Sequence, residues 1–155
     1  MAERRIRNRT MTANEKKQMP VRAGLWTTPL SPDEPPQLIG SQCPACGEVF
    51  FPKRERGVCI HCQHRGLEDC KLSRRGKIHS FSVIMQQPTQ FFVGKVPYAY
   101  GIIALPEVRV LAHYTGCDFK DLKIGMPVEL VIEKLGEDEQ GNEVTAHKFK
   151  PVEEL

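Results

Sequence analysis

A mainly β protein is predicted by three observations on this 155-residue sequence. Two Cys-x-x-Cys pairs, Cys43/Cys46 and Cys59/Cys62, stand about a dozen residues apart. Beyond Ser73, apolar and polar side chains alternate in short runs with period two. Those runs are divided by Pro, Gly and Asp, not by stretches of helical spacing. Together they predict a short helical or extended N-terminal segment, a metal-stapled ribbon, and then a small five-stranded barrel. The expected organisation is a basic arm with a Pro-rich linker over 1–37, the ribbon over 38–72 and the barrel over 73–155.

The N-terminal segment is defined by charge. Residues 1–22 carry seven Lys/Arg against two Glu, whereas residues 118–155 carry ten acids against five Lys. The whole chain has a net charge of only +3. Arg4, Arg5, Arg7 and Arg9 therefore read as a solvated arm at one end of an otherwise balanced chain. Thr12-Ala13-Asn14-Glu15 has the form of a capping box, so a short helix is expected there, stopped near Pro20. Four prolines between Pro29 and Pro36 forbid regular helix and predict an extended linker. Trp26, the single tryptophan, precedes that linker and reads equally as a local core plug or as an anchor on a partner.

The ribbon follows from sulfur chemistry. Two cysteines separated by two residues can turn both sulfurs to one side of a tight turn. Two such turns supply four thiolates in a tetrahedron, the donor set of a structural zinc. Cys43, Cys46, Cys59 and Cys62 are thus the expected ligands of one closed Zn²⁺ site. Gly47 follows the first pair, where the turn calls for positive φ. His61 and His64 lie close by, but four thiolates already complete the coordination, so both are expected at the surface. A redox dithiol is disfavoured, because such a pair is usually single and set in a βαβ unit. Cys70 and Cys117 are expected to be buried small apolar residues, not nucleophiles.

The barrel strands are expected over 77–85, 98–105, 108–114, 128–133 and 143–150. A proline-bounded loop fills 86–97, Pro106-Glu107 turns a hairpin, one helical turn occupies 118–122, and a charged turn occupies 137–142. Five short strands with almost no helix point to an oligonucleotide/oligosaccharide-binding (OB) barrel. No apolar run approaches 18 residues and no apolar stretch follows the basic N-terminus, so neither a membrane span nor an export signal is expected. Six cysteines in such a chain point to a reducing, cytoplasmic setting.

The ordered motifs resemble those of the DUF35 family, in which a rubredoxin-like zinc ribbon precedes an OB fold. The stretch from Leu38 through Cys43-Pro44-Ala45-Cys46-Gly47 to Pro52 is similar to the family's opening of the ribbon. Cys59-Ile60-His61-Cys62 is similar to its second knuckle, and Gly76-Lys77-Ile78-His79-Ser80-Phe81-Ser82-Val83 to its first OB strand. Val96-Pro97-Tyr98 and Ile124-Gly125-Met126-Pro127-Val128 resemble its approaches to the second and fourth strands. Gln63 departs from the pattern, since many members carry Gly after the second pair.

The resemblance implies a non-catalytic subunit of a thiolase-type acyl-CoA complex, one that stabilises its partner and helps frame the acyl-CoA site. A hydratase or aldolase partner is the alternative within the family. The residues agree on the negative half: they hold no Gly-x-Ser-x-Gly elbow, no phosphate-cradling Gly-rich loop and no usefully spaced carboxylate pair. His113 and Cys117 are close in sequence but have no orienting third group, so they are not expected to act as a catalytic pair.

A nucleic-acid-binding module is the reading from another class. Tyr98, Tyr100 and Tyr114 would stack bases beside Arg109, but the acidic C-terminal third and the lack of a Lys/Arg stripe weigh against it. Trp26, Phe91 and Phe92 are expected to bury against the partner, because adjacent Phe91 and Phe92 point to opposite sides of an extended backbone. Lys95, and with it Arg74, Arg75 and Lys77, is expected near the CoA phosphates at the mouth of the partner's channel.

Overall fold

The computed structural model describes residues 17–88 and 93–153. Phe91 and Phe92, the basic arm and the expected capping box lie outside the described residues. The first described element is a strand, β1 (Gln18–Pro20), at the point where the expected helix was to stop. It runs parallel to the last strand, with Gln18 opposite Glu143.

The ribbon is a three-stranded sheet in the order β3-β2-β4. Its strands are β2 (Ile39–Gln42), β3 (Val49–Phe50) and β4 (Glu68–Lys71). The Ser41 hydroxyl, buried at its centre, accepts the Arg54 amide at 2.9 Å.

The barrel comprises β5 (Arg75–Ile78), β6 (Ser82–Ile84), β7 (Tyr98–Ala104), β8 (Arg109–Tyr114), β9 (Pro127–Glu137) and β10 (Glu143–Pro151). Pairing runs β5–β7–β8–β10–β9 and returns from β9 to β5, which closes the ring. The β8–β10 pair is parallel, with a 3-10 turn at Phe119–Asp121 and strand β9 intervening in the chain. Closure leaves this sheet without long open edges.

The strand expected over 77–85 is broken into β5 and β6. The break sits over Gly101: a Cβ placed there would lie 2.1 Å from the Ser80 carbonyl oxygen and 2.7 Å from the Phe81 Cα. The bare backbone of β7 lets the chain fold tightly across it. The Ser80 carbonyl then accepts the Ile102 amide at 3.1 Å and the Tyr114 hydroxyl at 2.7 Å.

Alternation decides the core. Ala99, Ile103, Val110, Val128, Leu130 and Phe149 are fully buried, while Tyr98, Tyr100 and Ile102 take the outer face of β7. Leu38 and Leu72, which bracket the ribbon sheet, are also fully buried in this same cluster. Ribbon and barrel therefore share one continuous core. The Glu107 carboxylate, in the β7–β8 turn, accepts both the amide and the hydroxyl of Ser73 and fastens the junction.

Candidate metal centre and barrel cleft

The two Cys-x-x-Cys turns fold as matched knuckles. Gly47 N–H donates to the Cys43 carbonyl, and Gln63 N–H to the Cys59 carbonyl, each at 2.8 Å. Both donors stand at positive φ, 79° for Gly47 and 64° for Gln63. The second knuckle therefore keeps the turn geometry in spite of the missing glycine. A side chain at positive φ costs about 1 kcal/mol, so Gln63→Gly is expected to raise stability by roughly 0.5–1 kcal/mol. Chemical denaturation of the zinc-loaded protein checks this, and a lower midpoint for the variant would refute it.

The four sulfurs lie within 4.8 Å of one another. Cys43 and Cys62 Sγ are 3.6 Å apart, as are Cys46 and Cys59 Sγ. A tetrahedral zinc with Zn–S bonds of about 2.3 Å sets S···S edges of roughly 3.8 Å. The donor set thus fits a single closed zinc site. Backbone amides, that of Cys46 foremost, bring the Cys43 thiol down to about 7 against the pull of desolvation. Cys59 is lowered too, whereas desolvation and the neighbouring sulfurs push Cys46 up to about 12 and raise Cys62, as expected of four sulfurs too close for all to ionise without a cation between them. His61 and His64 are exposed and stand outside the cluster, as expected.

A second feature lies at the end of the barrel. A cleft of about 860 Å³ is lined by residues 93–95, Pro97 and Tyr98 on one side, His113 through Cys117 and Phe119 on another, and Lys134 through Glu137 and Lys148 on the third. Its first wall packs on the bare backbone of Gly136, where a Cβ would sit 1.7 Å from the Val93 carbonyl oxygen. Tyr98 stacks on His113 with ring centroids 5.1 Å apart, and Tyr100 approaches both rings. Lys148 donates to the Lys134 carbonyl at 3.0 Å, and Lys134 pairs with Glu137 at 3.0 Å.

The expected anion-binding residues are not brought together. Lys95 lines this cleft. Arg75 and Lys77 border a separate shallow hollow with Pro106 and Pro127. Arg74 is committed to the fold: its guanidinium bonds the Pro36 carbonyl, the Glu129 carboxylate and the Leu130 carbonyl. Trp26 is half-buried against the core and lies 6.3 Å from the His147 ring. Tyr114 points into the barrel, so it is not part of the stacking face that the sequence offered with Tyr98 and Tyr100.

Sequence reasoning missed the contributions of His113, Lys134 and Lys148 to the cleft. Alternation alone puts His113 on the outer face beside Tyr100. Lys148 reaches it only through the parallel β8–β10 register, for which the sequence carries no local signal.

Burial, with Lys148 and His147 nearby, pushes the His113 imidazole down to about 4. Burial also lowers His147, whose Nε2 donates to the Leu111 carbonyl at 3.0 Å and whose Nδ1 has no partner among the described residues. Both histidines are held neutral in the folded chain. The unfolded chain takes up their protons near pH 6.5, so stability is full above that pH. It declines as pH falls from about 6.5 towards 4. His113→Gln should flatten this decline relative to wild type, with thiolate protonation common to both. Urea midpoints at pH 7, 6 and 5 check it, and parallel curves would refute it.

The chain matches two family models. Residues 34–68 match the one described as ChsH2, rubredoxin-like zinc ribbon domain. Residues 70–133 match the one described as ChsH2, C-terminal OB-fold domain. A "DUF35 domain-containing scaffold protein" of Methanothermobacter thermautotrophicus is 41% identical over 117 residues, 74% of this chain and 86% of that protein. The "Benzoylsuccinyl-CoA thiolase subunit BbsA" of Thauera aromatica is 33% identical over 122 residues, 76% of this chain and 78% of that protein. Among solved structures, a chain of the "Ltp2-ChsH2(DUF35) aldolase" superposes with a TM-score of 0.59 at 23% identity, covering 74% of this chain and 84% of that one. That likeness speaks for the shared fold.

Proposed function

Because the chain belongs to the DUF35 family of zinc-ribbon and OB-fold proteins, we propose that it is a non-catalytic subunit of a thiolase-type acyl-CoA complex. The observation that carries this reading is the 33% identity to a benzoylsuccinyl-CoA thiolase subunit, which runs through ribbon and barrel alike. The likeness to relatives named scaffold proteins supports the same role in assembly. In this reading the subunit holds a catalytic partner and lends one wall to its acyl-CoA channel.

The cleft is the part suited to that wall. It combines the stacked Tyr98–His113 pair with the ammonium group of Lys95. CoA carries several phosphate charges, and a cation at a channel rim raises the capture rate in a salt-dependent way. Arg74, held in its internal bonds, contributes to the fold of the junction and not to capture. Trp26 offers the partner the half of its surface that the core leaves uncovered, with Phe91 and Phe92 as the further apolar contacts.

The test is co-expression with the thiolase-family protein of the same cells, followed by affinity capture and size-exclusion chromatography. A stoichiometric complex is expected, and Trp26→Ala should weaken it without loss of zinc. Two separate peaks would overturn the assignment. In the assembled complex Lys95→Ala is expected to raise the apparent KM for acyl-CoA several-fold at low ionic strength, with kcat little changed. The difference should shrink with added salt. An unchanged KM at every salt concentration would remove Lys95 from the site.

A further inference from the structure

The loop between Trp26 and Leu38 is long, carries Pro29, Pro32, Pro35 and Pro36, and is nevertheless closed at its base. Thr27 N–H donates to the Gln37 carbonyl at 2.8 Å, and Gln37 N–H returns to the Thr27 hydroxyl at 3.1 Å. Trp26 and Leu38 form an antiparallel bridge just below. The tip is braced as well: Glu34 N–H bonds the Ser31 carbonyl, and the Glu34 carboxylate accepts the Leu30 amide at 3.2 Å. The descending limb is fastened to the ribbon–barrel junction, with Pro36 accepting from Arg74 Nε at 3.0 Å and Gln37 donating to the Leu72 carbonyl at 3.3 Å.

This braced tip presents Leu30 with 96% of its surface exposed, more than any other large apolar residue among the described residues. An exposed leucine on a mobile tail calls for no explanation. A leucine held aloft on a proline-stiffened, hydrogen-bonded loop is different, because little conformational freedom remains to be lost when it is buried.

We propose that the 27–37 loop is a preformed docking prong, and that Leu30 enters an apolar pocket with a basic rim on the catalytic partner. The proposal rests on the assembly role inferred above and assigns it a contact surface. A convex tip does not enclose a small molecule, so the counterpart is a concavity on another macromolecule. Asp33 and Glu34 follow the leucine three and four residues on, and no Lys or Arg lies within the loop. That charge is wrong for anionic lipid or for nucleic-acid phosphate, and right for a pocket rimmed by Lys or Arg.

The experiment is a binding titration of the purified thiolase-family partner with the full-length, zinc-loaded wild-type chain and with Leu30→Ala, Leu30→Asp, Leu30→Met and Asp33→Asn. Leu30 makes no core contact, so every variant should keep wild-type zinc content and melting temperature. Leu30→Ala is expected to weaken binding roughly tenfold and Leu30→Asp further, with Leu30→Met close to wild type. Asp33→Asn should slow association at low salt only. If wild type binds the partner and both Leu30→Ala and Leu30→Asp bind as tightly, the prong is refuted and the assembly role stands. If wild type itself does not bind, both fall. If the chain alone is a dimer that Leu30→Asp splits, the occupant is a second copy and the proposal is overturned.

Discussion

Replacing Cys59 with Ser is expected to release the zinc and, with it, to lower the melting temperature of the barrel. The first half follows from coordination. Cys59 is one of four thiolates in a closed site, and such sites contribute about 10–16 kcal/mol of binding free energy in small zinc modules. That is comparable to the whole stability of an ordinary domain, roughly 5–15 kcal/mol. The second half follows from packing. Leu38 and Leu72 belong to the ribbon's flanks yet are fully buried with the barrel residues Ile103 and Phe149. Loosening the ribbon exposes both, at about 2–3 kcal/mol each. For a chain of this length that corresponds to a drop of roughly 10–20 °C. The β-strand signal of the barrel should survive at low temperature. Elemental analysis and circular-dichroism melts check the two halves. One zinc per chain in the variant would remove Cys59 from the site, and an unchanged barrel melt would show that the shared core carries no coupling.

Gly101→Ala should be among the most damaging single-methyl additions in the barrel. The backbone angles there suit any residue, so the penalty is purely spatial. The new methyl would meet the Ser80 carbonyl carbon and oxygen and the Phe81 Cα, all backbone atoms that cannot swing aside. The β5–β6 crossing would have to lift off β7. In doing so it would stretch the bonds that the Ser80 carbonyl accepts from Ile102 and Tyr114. Overpacking together with two weakened hydrogen bonds amounts to about 3–5 kcal/mol, a shift of roughly 2 M in the urea midpoint. Tyr114→Phe, which removes one of those bonds and adds no bulk, should cost only about 1 kcal/mol. A Gly101→Ala midpoint no lower than that of Tyr114→Phe would refute the steric account.

What the sequence disclosed was governed by distance along the chain. The knuckles were legible because each is a local turn with its own cysteines and its own positive-φ residue. The β7–β8 hairpin was legible because alternation and Pro106-Glu107 define both strands and the turn between them. Three features were not. Strand β4 pairs along β2, but its residues Glu68, Asp69, Cys70 and Lys71 show no apolar alternation. The break between β5 and β6 is caused by Gly101, on another strand. Strand β1 exists only because β10 offers its edge. The same rule applies to the cleft: Lys95 lines it from the loop before β7, and Lys148 was not foreseen there, because its place depends on a parallel register between β8 and β10.

That last strand also has a temporal meaning. During synthesis the ribbon strands, all within 39–71, are complete while half the chain is still unmade. Strand β10 joins β1, β8 and β9 at once, so the ring cannot close before it emerges. Until then β8, β9 and Gln18–Pro20 wait with open edges, the condition in which nascent β chains aggregate. The ribosome, its exit tunnel and any chaperone at its mouth therefore act on an unclosed barrel for much of the protein's birth. Nascent chains arrested before residue 143 should be bound by such chaperones and cut readily by protease, whereas chains released at full length should resist both.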